Sequence, residues 1–310
     1  MSESQEWKQK FEELSALLQE KEQALKEYRQ IIEQSNQMIK EVMDKLSVEL
    51  KMAHQIHRVL LPVDLPVISN CEFSFKFRPA SIKGESKDFY EVLPHLNKKF
   101  FNIIMSSCSS HALSALLFSA RLKMMSRGEK VNQLQPHEFM VRLSEEISSD
   151  TSHLSAGGIS ISEPLKEKVA LFYAFIDQKT YQMSYCLVGD IVALVQYAET
   201  GEIETLSASA YSLEKKEIRK LKTDRISLNG KDRFILCSPG VLQCQSPGGD
   251  IYSLSALKGA LQNKNLSSVH EIRNRILYDL ESFAQGRPTE RDQSVLVMEV
   301  KRRILKLAKF

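Results

Sequence analysis

WKQKFEELSALLQEKEQALKEYRQIIEQSNQMIKEVMDKLSVELKMAHQIHRVLL, residues 7–61, sets the organisation of this chain. Alternate steps of four and three residues from Trp7 fall on Phe11, Leu14, Leu18, Lys21, Leu25, Tyr28, Ile32, Ser35, Ile39, Val42, Leu46, Glu49, Ala53, Ile56 and Leu60. Thirteen of the sixteen positions are apolar, and neither Gly nor Pro interrupts before Pro62. A 3.5-residue period kept over this length predicts a coiled-coil helix of roughly 80 Å, at ~1.5 Å per residue. One row of the seam (Phe11, Leu18, Leu25, Ile32, Ile39, Leu46, Ala53, Leu60) is wholly apolar, while the other carries Lys21, Ser35 and Glu49. Polar seam residues lower stability and pin register, so the pattern predicts a parallel homodimer through residues 7–46.

The apolar stripe is wider than a dimer seam requires. Leu17, Ala24, Ile31, Met38, Met52 and Val59 extend it on one side, and Met43 and Leu50 on the other. Three apolar positions per heptad describe a helix with more than one neighbour. The final stretch, after Met38, is therefore expected to dock on the following domain as well. The other arrangement is a helix laid along its own domain with its outer face solvated. Pro62, Asp64 and Pro66 end the helix, which gives a coiled-coil segment 1–61, a domain 62–300 and a basic tail 301–310.

Composition narrows the classes. The 310 residues hold 42 basic and 39 acidic side chains, a net charge of +3, which gives no bulk attraction for nucleic acid. No apolar run approaches the ~18 residues of a membrane span, and the opening MSESQEWKQK has no signal-peptide core. Five cysteines, odd in number and without C-x-x-C spacing, predict reduced thiols in a cytoplasmic protein.

Beyond the linker, Phe73, Phe75 and Phe77 alternate with polar residues as in a half-buried strand, and residues 100–105 form a more buried one. Helices are expected from His111 to Met125 and from Pro136 to Ile147, with a polar connection over 148–167. VALFYAFID (169–177), YQMSYCLVG (181–189) and IVALVQY (191–197) predict a three-strand meander. Ile226–Leu228 and Phe234–Leu236 flank Asn229-Gly230, which predicts a hairpin. A helix from Ser268 to Phe283 and a strand from Ser294 to Val300 close the chain. This order suits an α+β sandwich with helices outside antiparallel sheets.

Six segments, in order, resemble the SpoIIE/RsbU branch of the metal-dependent (PPM, type 2C) serine/threonine protein phosphatases. They are LKMAHQIHRVLLPVDLP (50–66), FKFRPASIKGESKDFYEV (75–92), FNIIMSSCSSHALSALL (101–117), FYAFIDQKTYQMSYCLVGD (172–190), RFILCSPGVLQCQSPGGDIYS (233–253) and RDQSVLVMEV (291–300). The resemblance spans roughly residues 46–300 and implies an α/β/β/α sandwich. It implies also two Mn²⁺ or Mg²⁺ ions held by carboxylates from four motifs, with a metal-bridging water as nucleophile.

The four motifs are only partly present. Asp88 matches the first aspartate if a short insertion is allowed, and Glu91 stands at the second. Ser107 replaces the aspartate that would bridge both metals, Pro239 the aspartate of the third motif, and Arg291 the first of the paired aspartates before Asp292. Hard divalent cations need oxygen anions, and a guanidinium opposes them at close range. The fold signature without its site chemistry indicates a pseudophosphatase with no cofactor, acting as a binding module in bacterial partner-switching signalling. The resemblance implies a STAS-type anti-sigma antagonist, or a sister phosphatase, as partner.

Other readings stand beside this one. Asp88, Glu91 and Asp292 are a remnant metal set, which an active Mn²⁺/Mg²⁺ phosphatase would complete with Asp190, Asp232 or Asp250. A scaffold in which only the coiled coil matters is another. Ser109, Ser110 and His111 at a helix start, with Arg291, form a candidate anion contact. Cys108, Cys237 and Cys244 fall near the expected cleft and read as buried structural thiols. The basic amphipathic ending from Lys301 to Phe310 suits acidic lipid, a partner or plain solvation.

Overall fold

The computed structural model describes residues 3–80, 87–109, 112–128, 134–154, 169–213, 215–262 and 267–301. Ser110, His111, most of the 148–167 connection beyond Leu154, and the tail after Lys301 lie outside them. The chain divides into two compact units, Met1–Met52 and Ala53–Phe310.

Helix α1 (Glu3–Leu60) runs unbroken because no Gly or Pro interrupts it, and Pro62 stops it by lacking an N–H and disfavouring helix in the residue before it. In the first unit the seam is open: Phe11 is 74% exposed, Leu18 62%, Leu25 59%, and Ile32 and Ile39 58% each. In the second unit, the last turns of α1 meet the body through His57 and Leu61, both buried. Lys123 Nζ donates to the Leu60 carbonyl, and the Tyr90 hydroxyl donates to that of Pro62 at 2.9 Å. Within this unit the face expected to dock is only partly covered: Ile56 and Val59 are exposed, Ala53 and Leu60 half-buried. The buried position is a histidine, which apolar periodicity does not register.

The body is built on two five-stranded antiparallel sheets. The first has the order β1 (Cys71–Arg78), β10 (Gln293–Val300), β9 (Arg233–Cys237), β6 (Val192–Gln196), β7 (Ile203–Thr205). The second has β2 (Lys87–Pro94), β3 (Phe100–Cys108), β4 (Val169–Asp177), β5 (Gln182–Val188), β8 (Asp224–Ser227). Phe101, Ile103, Met105, Phe172 and Ala174 from the second sheet pack against Phe234, Leu236, Leu296 and Met298 from the first, which forms the inner layer. Outside the second sheet lie α2 (Ala112–Arg127) and α3 (Pro136–Leu154), burying Phe118, Leu122, Phe139 and Leu143 on Phe89, Ile104, Leu171 and Tyr173.

Outside the first sheet lie α6 (Leu254–Leu261) and α7 (Val269–Ala284), preceded by two short helices, α4 (Lys215–Ile218) and α5 (Pro239–Leu242). Helix α7 starts on a capping box between Ser268 and Glu271 and buries Val269, Ile272, Ile276 and Leu280, spaced three and four apart. The layering is the expected α/β/β/α sandwich.

Two strand pairings differ from the sequence reading. The third strand of the expected meander, β6, leaves the second sheet for the first. Gly189 makes that exit with φ +73, its Cα so near Ala170 that an added Cβ would lie 3.0 Å from the Ala170 Cα. The expected hairpin about Asn229-Gly230 is likewise a crossing, since β8 pairs with β5 and β9 with β10 and β6. Buried Asp232 fixes this turn by accepting the N–H groups of Asn229 at 2.7 Å and Ala198 at 2.8 Å. Alternating patterns show that a strand is buried, not which of two buried sheets it joins.

Candidate functional site

Strand direction gathers the four motifs at one end of the sandwich. β2 starts at Lys87, β3 ends at Cys108, β9 ends at Cys237 and β10 starts at Gln293, so Asp88, Ser107, Ser238 and Asp292 converge although far apart in sequence. Asp88 stands opposite Ser107 in the β2–β3 register.

Asp292 is buried and holds the corner together. Its Oδ1 accepts the Ala80 N–H at 2.7 Å and its Oδ2 the Asp88 N–H at 3.1 Å. The Ser238 hydroxyl donates to the Asp292 carbonyl at 3.2 Å and accepts the Ser294 N–H at 2.9 Å. Asp88 is fully buried: its Oδ2 accepts the Ser294 hydroxyl at 2.9 Å, while Oδ1 has no hydrogen bond of good geometry. The Ser107 hydroxyl has none either. Lys87 is buried too, with Nζ 4.0 Å from Asp292 Oδ1.

The charges respond to this burial. Desolvation, then the Asp292 charge, pushes Asp88 well above the usual carboxylate range, against the opposing hydroxyls of Ser238, Ser107 and Ser294. Asp292 is also raised by burial, with Lys87 and the two backbone N–H groups acting the other way. His57 is pushed down to about 4 by burial and by Lys87, so its ring is neutral.

Glu91 is not part of this group. Side chains three apart on a strand point to opposite faces, so Asp88 faces β10 and Glu91 faces α2. There Arg127 grips Glu91 Oε1 with Nε at 2.8 Å and Nη2 at 2.6 Å, and the Ser126 hydroxyl donates to Oε2 at 3.0 Å. Glu91 is thus a buried ion-pair partner and does not complete a remnant metal set with Asp88 and Asp292. Of the substitute carboxylates, Asp232 lies at the opposite end of the sandwich, in the turn before β9, and Asp190 and Asp250 are exposed in loops. Pro239 opens α5, and Gly240 beside it packs against the Asp292 backbone. Arg291 Nη1 donates to Ser109 Oγ at 2.9 Å, which joins two members of the anion set.

All five cysteines are buried and unbridged, and burial pushes the Cys237 thiol up to about 12. None is a thiolate nucleophile.

The family model for Stage II sporulation protein E (SpoIIE) matches residues 98–301. The chain belongs to the SpoIIE family. Solved structures agree on the fold. The SiaA-PP2C domain of Pseudomonas aeruginosa matches with a TM-score of 0.62 at 15% identity, over 83% of this chain and 98% of that one. The RsbU and RsbW domains of Rv1364c from Mycobacterium tuberculosis match at 0.60 and 13% identity, over 79% of this chain and 64% of that one. The PP2C phosphatase domain, with a fragment of the regulatory domain, of SpoIIE from Bacillus subtilis matches at 0.55 and 15%, over 74% and 63%. The chain thus spans just under two thirds of the length of the Rv1364c and Bacillus chains. No curated protein matches it at a significant level.

Against the two-metal centre that this SpoIIE fold implies, the residues present do not fit. Two hard cations require a set of open carboxylate oxygens. Here three of the four carboxylate oxygens are already taken by Ala80 N–H, Asp88 N–H and the Ser294 hydroxyl, and an ammonium lies beside them. Among the described residues no group of three or more His, Cys, Asp or Glu is placed to hold an ion. Lys87, His57, Ser238 and Ser294 were not singled out from sequence. Lys87 had a visible signal, being a lysine directly before the motif aspartate. The others had none, since a serine or histidine in a strand or helix says nothing of burial.

Proposed function

We propose that this SpoIIE-family chain is a pseudophosphatase that acts by binding, as a regulatory module of partner-switching type. The observation that carries the reading is the engagement of Asp292: both of its oxygens hold backbone N–H groups, so it serves as a structural tie. Ser107, Pro239 and Arg291 at the other ligand positions support it. The joining of RsbU and RsbW domains in Rv1364c supports a partner of the partner-switching kind, for which a STAS-type antagonist or a sister phosphatase is the candidate. The open heptad seam supports a homodimer through residues 7–46. The hydrogen bond from Arg291 to Ser109 supports these two residues as a contact for a phosphoryl group on such a partner.

The test is turnover by the wild-type chain of a phosphoserine peptide with millimolar Mn²⁺. Background rates are expected. Mn²⁺-dependent hydrolysis would return the chain to the active phosphatases.

A further inference from the structure

A buried ammonium is costly unless opposite charge and hydrogen bonds surround it. Lys87 is such a case: its side chain is 3% exposed, and its Nζ lies 4.0 Å from an oxygen of Asp292, itself 2% exposed. Burial pushes Lys87 below the usual lysine range, and the charges of Asp292 and then Asp88, the next residue, act against it in favour of the ammonium. Of the other cationic groups nearby, His54 acts on Asp292 in the same sense but less than Lys87. His57 is neutral in its buried position, and Arg291 is directed to Ser109. Two carboxylates packed together in low dielectric repel each other unless a cation sits with them. The molecule supplies that cation from its own chain.

We infer that the Lys87 ammonium is the resident cation of the Asp88–Asp292 pair and stands where a divalent ion would otherwise balance the two carboxylates. This rests on the pseudophosphatase reading and adds its physical cause: the site is closed to Mn²⁺ and Mg²⁺ by a covalently attached competitor. A bound ion can dissociate, whereas this one is attached to β2 through its own side chain.

The experiment is thermal melting of the full chain, with and without millimolar Mn²⁺, for wild type, Lys87→Ala, Asp292→Asn and the double variant. Lys87→Ala is expected to melt lower without metal and to regain roughly 5 °C with Mn²⁺, the shift that binding at some tens of Kd gives a domain of this size. Wild type is expected not to respond. The double variant is expected to lose clearly less than the sum of the single losses, because each removes the partner of the other. Should Lys87→Ala fail to fold, Lys87→Arg and the double variant must still fold, the first keeping the positive charge and the second removing both charges together. Additive losses overturn the assignment whatever the ion does. Coupled losses without a Mn²⁺ response leave Lys87 as the counter-charge but overturn its standing in for a metal. A Mn²⁺ response or phosphopeptide turnover in wild type sinks instead the reading on which this rests.

Discussion

Asp292 Oδ2 accepts the backbone N–H of Asp88 at 3.1 Å across 204 residues of sequence. The bond ties the start of β2 in one sheet to the start of β10 in the other. With Asp292 Oδ1 on the Ala80 N–H, the carboxylate also fixes the segment that leaves β1. The corner is held by hydrogen bonds of the chain to itself.

Asp292→Ala should therefore cost much stability. It strands two buried N–H groups, each worth about 1–3 kcal/mol when left unpaired, and removes the counter-charge of Lys87. A loss of roughly 3–5 kcal/mol in urea unfolding is expected. Asp292→Asn, which keeps one acceptor oxygen, should fall between. Wild-type stability in the alanine variant would show that the carboxylate is not a tie.

Asp88→Asn should stabilise the protein in a pH-dependent way. Burial raises the folded-state pKa of Asp88 to about 7, above its unfolded value of about 3.9. For an acid raised on folding, the contribution is fully present below the unfolded pKa and is lost as pH rises through the folded one. Asparagine has no such loss and can still accept the Ser294 hydroxyl. The variant should match wild type near pH 4 and exceed it by on the order of 4 kcal/mol at pH 8. An advantage independent of pH would place the effect elsewhere.

Much of this was open to sequence reading, for identifiable reasons. The heptads gave α1, because Pro62 is the first helix breaker in the run. The order of strands and helices gave the sandwich, and the motif aspartates gave the corner where Asp88 and Asp292 meet. Three features were not legible. Whether β6 and β9 pair within their own hairpin or across to the other sheet depends on backbone turns at Gly189 and Asp232. That Glu91 faces away from Asp88 follows from strand parity, but only once 87–94 is known to be a strand, and its run of buried residues hides the alternation. The burial of Lys87 runs against its residue type, since lysine is among the residues least often buried, so its place before the motif aspartate marks it without revealing that it is buried.

Gly240→Ala should disrupt the same corner from the other side. A Cβ at Gly240 would lie 2.2 Å from the Asp292 carbonyl oxygen and 3.1 Å from the Arg291 Cβ. Neither backbone can yield without breaking the Ser238–Ser294 bonds, so a loss of several kcal/mol, roughly 3 or more, is expected. Gly259→Ala in α6 is the control. Nothing lies within 4 Å of its added Cβ, and alanine should raise stability by about 0.5–1 kcal/mol. Equal effects in the two variants would contradict the close approach.

The seam of α1 makes the last prediction. Phe11, Leu18, Leu25, Ile32 and Ile39 lie on one face of a helix and are each more than half exposed in the single chain. Such a contiguous apolar stripe is rare on a monomer and is covered in a coiled coil by the same stripe of a second copy. Ile32→Asp puts a charge at the centre of that stripe, and Ile32 belongs to a different compact unit from the body. Sedimentation at micromolar concentration should give twice the chain mass of 35.4 kDa for wild type and the single mass for Ile32→Asp. The melting of the body should be the same in both, because its core contains no residue of the seam before Ala53. A chain beginning at Met52 should sediment at its own, smaller single-chain mass. A wild-type chain that sediments as a monomer removes the dimer, and with it the proposal that α1 pairs two copies.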